Sequence, residues 1–115
     1  MSVHLAPLLR GDVTQSSGAD DALATATVAA VDGVTHLVLG VEAHYDAAVT
    51  AIRDITIIHG STTWQTLRWD FSNGAFSFSF PIAFSNDPNE AVSATLEASG
   101  NGGDSGYVAL FTATN

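Results

Sequence analysis

With 115 residues, no cysteine and 12 acidic against 3 basic side chains, the chain has a formal net charge of −9 at pH 7. The length fits one domain with its own core, the missing cysteine excludes disulfides and thiolate chemistry, and no apolar run approaches the ~20 residues of a membrane span. Nucleic acids and anionic membranes are held by several cations. The chain offers only Arg10, Arg53 and Arg68, so we expect neither partner.

The first 21 residues differ in pattern from the rest of the chain. A short apolar patch is followed by a polar, turn-rich segment from Gly11 to Asp21 that has no periodicity. We therefore predict an extended N-terminal arm over residues 1–21 and a β-sandwich domain over residues 22–115. A frayed terminus is the alternative explanation of the same pattern. The candidate contact residues of the arm are Val3, Leu5, Leu8, Leu9 and Arg10.

From residue 22 onward, apolar and polar residues repeatedly alternate with a period of two, which is typical of half-buried β-strands. The clearest alternation covers residues 76–84, where Pro81 marks an edge, a bulge or a strand end because proline cannot donate to a ladder. Residues 60–63 suit a hairpin loop, and Asn73-Gly74 is the best short-range turn signal. The seven predicted strands cover residues 23–31, 35–45, 51–59, 64–71, 76–84, 91–99 and 107–114.

The histidines do not form a recognisable metal site. His36 and His44 share a face of the predicted strand over residues 35–45, opposite Leu39 and Val41, but lie about 26 Å apart along an extended chain. A metal site built from His44, His59 and an aspartate is the alternative. We expect ordinary surface or interface histidines instead.

No catalytic signature stands out. Serine, histidine and aspartate all occur, but without the Gly-x-Ser-x-Gly elbow of the hydrolases that carry it. The glycine-rich stretch over residues 100–106 lacks the lysine and helix of a phosphate-binding loop. Acidic and asparagine-rich loops offer oxygen ligands for calcium, but without EF-hand spacing. We therefore expect a protein that is not an enzyme and holds no cofactor or metal.

The two tryptophans are the candidate aromatics for a ligand or a subunit interface. Trp64 and Trp69 have opposite parity in one predicted strand, which places one of them on the outward face. An outward ring beside polar loops can stack on a sugar. A tryptophan in the core or at a subunit interface is the alternative.

Five stretches resemble the opening and closing strands of small jelly-roll proteins from the structural modules of tailed phages. Related folds are tumour-necrosis-factor-like trimers and phage capsid decoration (cement) proteins. The resemblance and the strand pattern together imply an all-β fold, a single antiparallel jelly-roll-type sandwich of about seven or eight strands with an N-terminal arm. The stretches are residues 24–30 (ATATVAA), 35–41 (THLVLGV), 80–84 (FPIAF), 91–100 (AVSATLEASG) and 106–112 (GYVALFT).

Two functions follow as expectations. The resemblance implies a homotrimer that binds the major capsid protein on the outer surface of the virion and braces neighbouring capsomers, with the arm against the shell. Such a protein acts through buried contact area and not through chemistry. The alternative is a receptor- or glycan-binding head domain of a phage tail or head fibre, which fits an exposed aromatic ring and calcium-ready loops.

Overall fold

The computed structural model describes residues 11–18, 20–47, 49, 51–85 and 87–114. The strands in these ranges are β1 (Gly11–Ser17), β2 (Ala24–Val28), β3 (His36–Tyr45), β4 (Ile52–His59), β5 (Thr62–Asp70), β6 (Phe76–Ser85), β7 (Val92–Leu96) and β8 (Gly106–Thr114). They form two antiparallel sheets, a first sheet of order β1-β8-β3-β6 and a second of order β2-β7-β4-β5. This is the strand order of a jelly roll with eight strands in two sheets. The predicted all-β sandwich is therefore confirmed.

The hydrophobic core lies between the two sheets and is built mainly from aliphatic side chains. Ile55, Ile57, Leu96 and Leu110 are fully buried there. Each such side chain stabilises the fold by roughly 1.5–3 kcal/mol relative to an exposed position. The sandwich therefore has an aliphatic centre, and its outer faces are left to polar and mixed residues.

Strand β1 corrects the prediction of an arm over residues 11–17. All of Gly11–Ser17 pairs with β8, from Gly11 opposite Ala113 to Ser17 opposite Tyr107. The sequence shows no alternation here because β1 is an edge strand whose inward positions, such as Thr14 and Ser16, are polar and only half-buried. Backbone pairing with β8 holds this strand in the sheet, and no alternating hydrophobic pattern is needed to place it there. The proposed contact residues Val3, Leu5, Leu8, Leu9 and Arg10 lie outside the described residues.

A β-bulge at Leu39 reverses the alternation of β3. Between Val38 and Gly40 the strand advances by two residues while its partners in β8 advance by one, so one residue of β3 is left over. His36 and Val38 are buried before the bulge, and Val41 is buried after it. The prediction that His36 and Val41 lie on opposite faces is therefore wrong, because the bulge interrupts the period of two on which it rests.

The prediction for Pro81 is confirmed. Strand β6 is an edge of the first sheet, and its pairing with β3 jumps from Phe84 to Ser79 around the proline. The predicted hairpin between β4 and β5 is confirmed, but its loop is Gly60 and Ser61 alone, because Thr62 and Thr63 already pair with β4. Gly60 has a φ of 58°, which suits glycine. Asn73-Gly74, by contrast, is not a hairpin turn, since the chain there passes from the second sheet to the first.

A short 3-10 helix, Phe71–Asn73, makes this crossing. The Asp70 carboxylate caps it by accepting a hydrogen bond from the Ser72 N–H at 3.0 Å. Gly74 ends it with a φ of 101°, a conformation that L side chains disfavour. Within the described ranges, no helix is long and apolar enough to cross a membrane.

Candidate functional site

The outer face of the first sheet carries a groove of about 320 Å³. Its walls come from β1, β8 and β3, and its floor is Ala109, which is only 4% exposed. We call this feature the outer groove. The side chains that define it are Gln15, Ser17, Glu42, His44, Tyr107 and Ala109.

Strand register brings these residues together from distant parts of the chain. Ala109 pairs directly with Gln15 on one side and with Glu42 on the other, and we call these three residues the central row. Two residues earlier on β8, Tyr107 is flanked by Ser17 and by His44 in the same way. Since side chains two apart on a strand share a face, both rows lie on the outer face. Ala109 has the smallest side chain among them, and this methyl group leaves space that forms the recess.

A stacked pair of rings forms one wall of the outer groove. The rings of His44 and Tyr107 are nearly parallel, at 9°, with their centroids 4.8 Å apart. Tyr107 is 36% exposed, so part of its ring faces solvent and the groove. An aromatic ring held in this way offers a large, pre-ordered apolar surface with a hydroxyl at its tip.

The polar groups of the central row are a carboxylate and an amide. Glu42 and Gln15 are both exposed, so the groove offers several acceptors and the two N–H donors of the amide. Neither arginine of the described part of the chain lies here. Arg68 forms an ion pair with Asp54 at 2.9 Å, and Arg53 donates to a loop carbonyl oxygen. The groove is therefore apolar on one wall and neutral to negative in its polar part.

Trp64 and Trp69 do not lie at the outer groove. Both are on β5 in the second sheet and are half-buried against the hydrophobic core. The Trp64 ring stacks on His59 with centroids 5.6 Å apart, and the Trp69 Nε1 donates to the Gly74 carbonyl oxygen at 3.0 Å. This placement corresponds to the alternative given by the sequence, in which the tryptophans pack on the core. A direct contact of either ring with a ligand stays a prediction.

A second bulge explains why neither tryptophan faces outward. Ile57 pairs with Gln65 and Ile58 pairs with Thr63, so Trp64 is the extra residue on β5. The bulge cancels the parity difference and brings Trp64 to the inner side of the sheet that Trp69 already occupies. The prediction of one outward-facing tryptophan is therefore wrong.

The described histidines lie in three separate environments. His36 is 2% exposed, and its Nε2 lies 3.0 Å from the Ala29 carbonyl oxygen. His44 stacks in the outer groove on the first sheet, whereas His59 is half-buried in the second. In the ranges given above, no group of three or more histidine, aspartate or glutamate side chains is placed to hold a metal ion.

The acidic residues around the glycine-rich loop accept hydrogen bonds from its backbone. Three carboxylates each accept from one N–H of the loop between β7 and β8. The pairs are Asp20 with Gly103, Asp21 with Gly100 at 2.7 Å, and Asp46 with Ser105 at 2.9 Å. These bonds give the carboxylates a structural role in fixing a loop rich in glycine.

Sequence reasoning missed most of the outer groove. The sequence places Tyr107 only in a strand and Gln15 in the predicted arm. The one available signal was parity, which places Tyr107 and Ala109 on the same face of β8. No local sequence pattern determines which strands flank β8 or in which register they pair with it.

Comparison with known proteins bears on the fold. No protein-family model matches the chain, and no curated protein matches it in sequence. Among solved structures it is similar to the CBM36-1 domain, a carbohydrate-binding domain, of a multidomain xylanase from the hindgut metagenome of Trinervitermes trinervoides. The TM-score is 0.52 at 7% identity, over 92% of this chain and 97% of that one. At this identity the likeness shows a shared jelly-roll-like sandwich.

Proposed function

We propose that the protein is a non-catalytic carbohydrate-binding domain whose ligand lies in the outer groove. The observation that carries the proposal is the exposed ring of Tyr107, held by its stack on His44 beside the central row. A sugar ring has an apolar face of C–H groups and a rim of hydroxyls. The tyrosine ring covers such a face, while Glu42 and Gln15 hydrogen-bond the rim.

The chemistry of the groove supports binding over catalysis. Its polar groups are one carboxylate, one amide, hydroxyls and a histidine ring engaged in stacking. A pair of carboxylates flanking a bond, as glycoside hydrolysis uses, is not among the groove residues. The fold adds support because a carbohydrate-binding domain shares it.

The test is a panel of soluble neutral polysaccharides in affinity electrophoresis, followed by titration of the best ligand. An open groove of this size suits dissociation constants in the ~mM to μM range, so the titration must reach high ligand concentrations. We expect Tyr107→Ala to abolish retardation. The matched control is Ile52→Ala, which removes an exposed apolar side chain from the second sheet. No retardation by any member of the panel, or unchanged binding by Tyr107→Ala, contradicts the proposal.

A second candidate is the capsid-decoration role that the sequence resemblance implies. The observation in its favour is a set of large apolar side chains that are at least half exposed, which subunit or capsid contacts would cover. The residues are Val13, Leu23, Val31 and Ile52. Light scattering tests it: a homotrimer has about three times the 11.9 kDa chain mass, and it should co-sediment with capsids. A monomer that does not co-sediment contradicts this role.

A further inference from the structure

We infer that the outer groove takes an internal segment of an extended, uncharged polysaccharide, and not a chain end or an acidic sugar. The inference rests on the proposed function and names its ligand class. It follows from three properties of the first sheet, namely the continuity of the central row, the apolar residues on both of its sides, and its charge.

With Ser77 on β6 added, the central row extends across all four strands of the first sheet. Glu42 pairs with Ala109 on β8 and with Ser77 on β6. The row therefore runs from Gln15 on β1 through Ala109 and Glu42 to Ser77. Four strands at about 4.8 Å spacing give it a length of about 14 Å. That length exceeds a single sugar ring and suits several linked rings.

Both ends of the row reach an edge of the sheet. Strands β1 and β6 are the two outer strands, and Gln15 and Ser77 are both exposed. The described residues therefore do not close the row at either end. A site for chain ends needs a wall that stops the chain, whereas an open row lets a polymer continue in both directions.

Apolar side chains line the row on both sides. Tyr107 stands on one side, and Phe111, four residues further along β8, stands on the other. Phe111 is half-buried, and its β1 neighbour Val13 is 57% exposed. On the β3 side Phe111 pairs with Gly40, which has no side chain to rise above the row. A chain in the row therefore meets a ring on each side and polar groups beneath it.

Charge selects against acidic sugars. Glu42 lies inside the row with its carboxylate exposed, and the chain has a formal net charge of −9 at pH 7. The described arginines are both on the second sheet, so neither lies in the row to offset a ligand carboxylate. Uronic and sialic acids are therefore repelled, while neutral hydroxyls hydrogen-bond the carboxylate.

The test uses the neutral polysaccharide that binds best, cut into a series from monosaccharide to hexasaccharide. We expect the monosaccharide to bind at least about tenfold more weakly than the longest member, a difference of 1.4 kcal/mol or more. Affinity should be unchanged when both ends of the hexasaccharide are chemically blocked. Equal affinity of the monosaccharide, or loss of binding on blocking the ends, overturns the inference.

A blocking variant tests the path of the chain. Ser77→Tyr places a ring at the β6 end of the row, and we expect it to weaken binding of the hexasaccharide more than that of the disaccharide. The matched control is Thr66→Tyr, an exposed position on β5, the edge strand of the second sheet. Equal loss for both lengths, or no loss for either, contradicts a chain that leaves the groove over β6.

Selection against acidic sugars can be measured separately from the length of the ligand. Carboxylated derivatives of the same polysaccharide should bind the wild-type protein weakly. Glu42→Gln should reduce the difference in affinity between the neutral and the carboxylated polysaccharide. Equal binding of both forms to the wild type overturns it. If no polysaccharide binds at all, the proposed function fails as well. If binding depends on Tyr107 but requires a free chain end, the inference alone fails.

Discussion

The ring of Tyr107 lies almost parallel to that of His44 on the neighbouring strand, with 4.8 Å between their centroids. The two residues are direct cross-strand partners, so the register of β3 against β8 creates the stack. Stacked aromatic pairs of this kind contribute roughly 0.5–1.5 kcal/mol beyond the area they bury. In this sheet the stack holds the tyrosine ring in place beside the groove.

The stack predicts a loss of ligand affinity when the histidine ring is removed. His44→Ala removes the ring behind Tyr107 and lets the tyrosine turn, so we expect polysaccharide affinity to fall by about threefold to tenfold, in line with 0.5–1.5 kcal/mol. Stability should change little because His44 is exposed. His44→Phe keeps a ring at the position and should retain most of the affinity. Titration calorimetry and thermal unfolding of the variants provide the measurements, and unchanged affinity in His44→Ala contradicts the role of the stack.

Tyr45 predicts a loss of stability at high pH. Its hydroxyl donates to the Glu97 carbonyl oxygen at 2.8 Å, and burial raises the pKa of Tyr45 from 10.0 to about 12. The unfolded chain therefore loses this proton first, and the free energy of unfolding should fall as pH rises from 10 towards 12. Urea unfolding across this range measures the fall. Tyr45→Phe should remove this contribution, and an equal slope in that variant would contradict the assignment.

His59 predicts a loss of stability at mildly acidic pH. Burial lowers the pKa of His59 from 6.5, and the nearby carboxylates of Glu90 and Asp87 only partly oppose the shift. The unfolded chain then binds this proton more readily, so the stability is complete above pH 6.5 and falls as the pH drops through the lowered pKa. His59→Phe keeps a ring against Trp64 and should flatten the dependence. Unfolding curves between pH 5 and 8 test this, and a variant as pH-sensitive as the wild type argues against His59.

The hydroxyl of Ser99 predicts a loss of stability when it is removed from the glycine-rich loop. Its side chain is fully buried, accepts from the Asn101 N–H at 3.1 Å and lies 3.0 Å from the Asp104 carbonyl oxygen. Ser99→Ala leaves these partly buried backbone groups without the hydroxyl, at a cost of about 1 kcal/mol. The matched control is Ser61→Ala, in the exposed turn between β4 and β5, which should stay within about 0.5 kcal/mol of wild type. Chemical denaturation of both variants decides whether the buried hydroxyl matters.

Two truncated variants distinguish the contribution of the first ten residues from that of β1. Removing residues 1–10 keeps every strand pair that the structure describes in the first sheet, so we expect a folded protein with groove binding intact. Removing residues 1–17 deletes β1, exposes the edge of β8 and takes Gln15 from the groove. We expect that variant to be strongly destabilised or insoluble. Circular dichroism and thermal unfolding compare the two, and equal stability would contradict the contribution of β1 to the sandwich.

Local sequence patterns were enough to predict the fold class. Period-two alternation gives strands without any partner being known, because the backbone alone sets the side-chain period. Proline has no N–H to donate to a ladder, which is why Pro81 could be placed at an edge or irregularity. The absence of alternation concealed β1, since an edge strand is held by backbone hydrogen bonds whatever its side chains.

The tertiary structure alone decided which side chains meet. A bulge shifts every later residue of its strand to the other face. Because of the two bulges at Leu39 and Trp64, the strands themselves are predicted correctly but the faces on which some of their residues lie are not. The outer groove depends on the same property, because Gln15, Glu42 and Tyr107 become neighbours only through the registers of β1 and β3 against β8. Pairing between strands distant in sequence is set by the packing of the whole sandwich. A local pattern determines the strand, and the tertiary structure determines its partners.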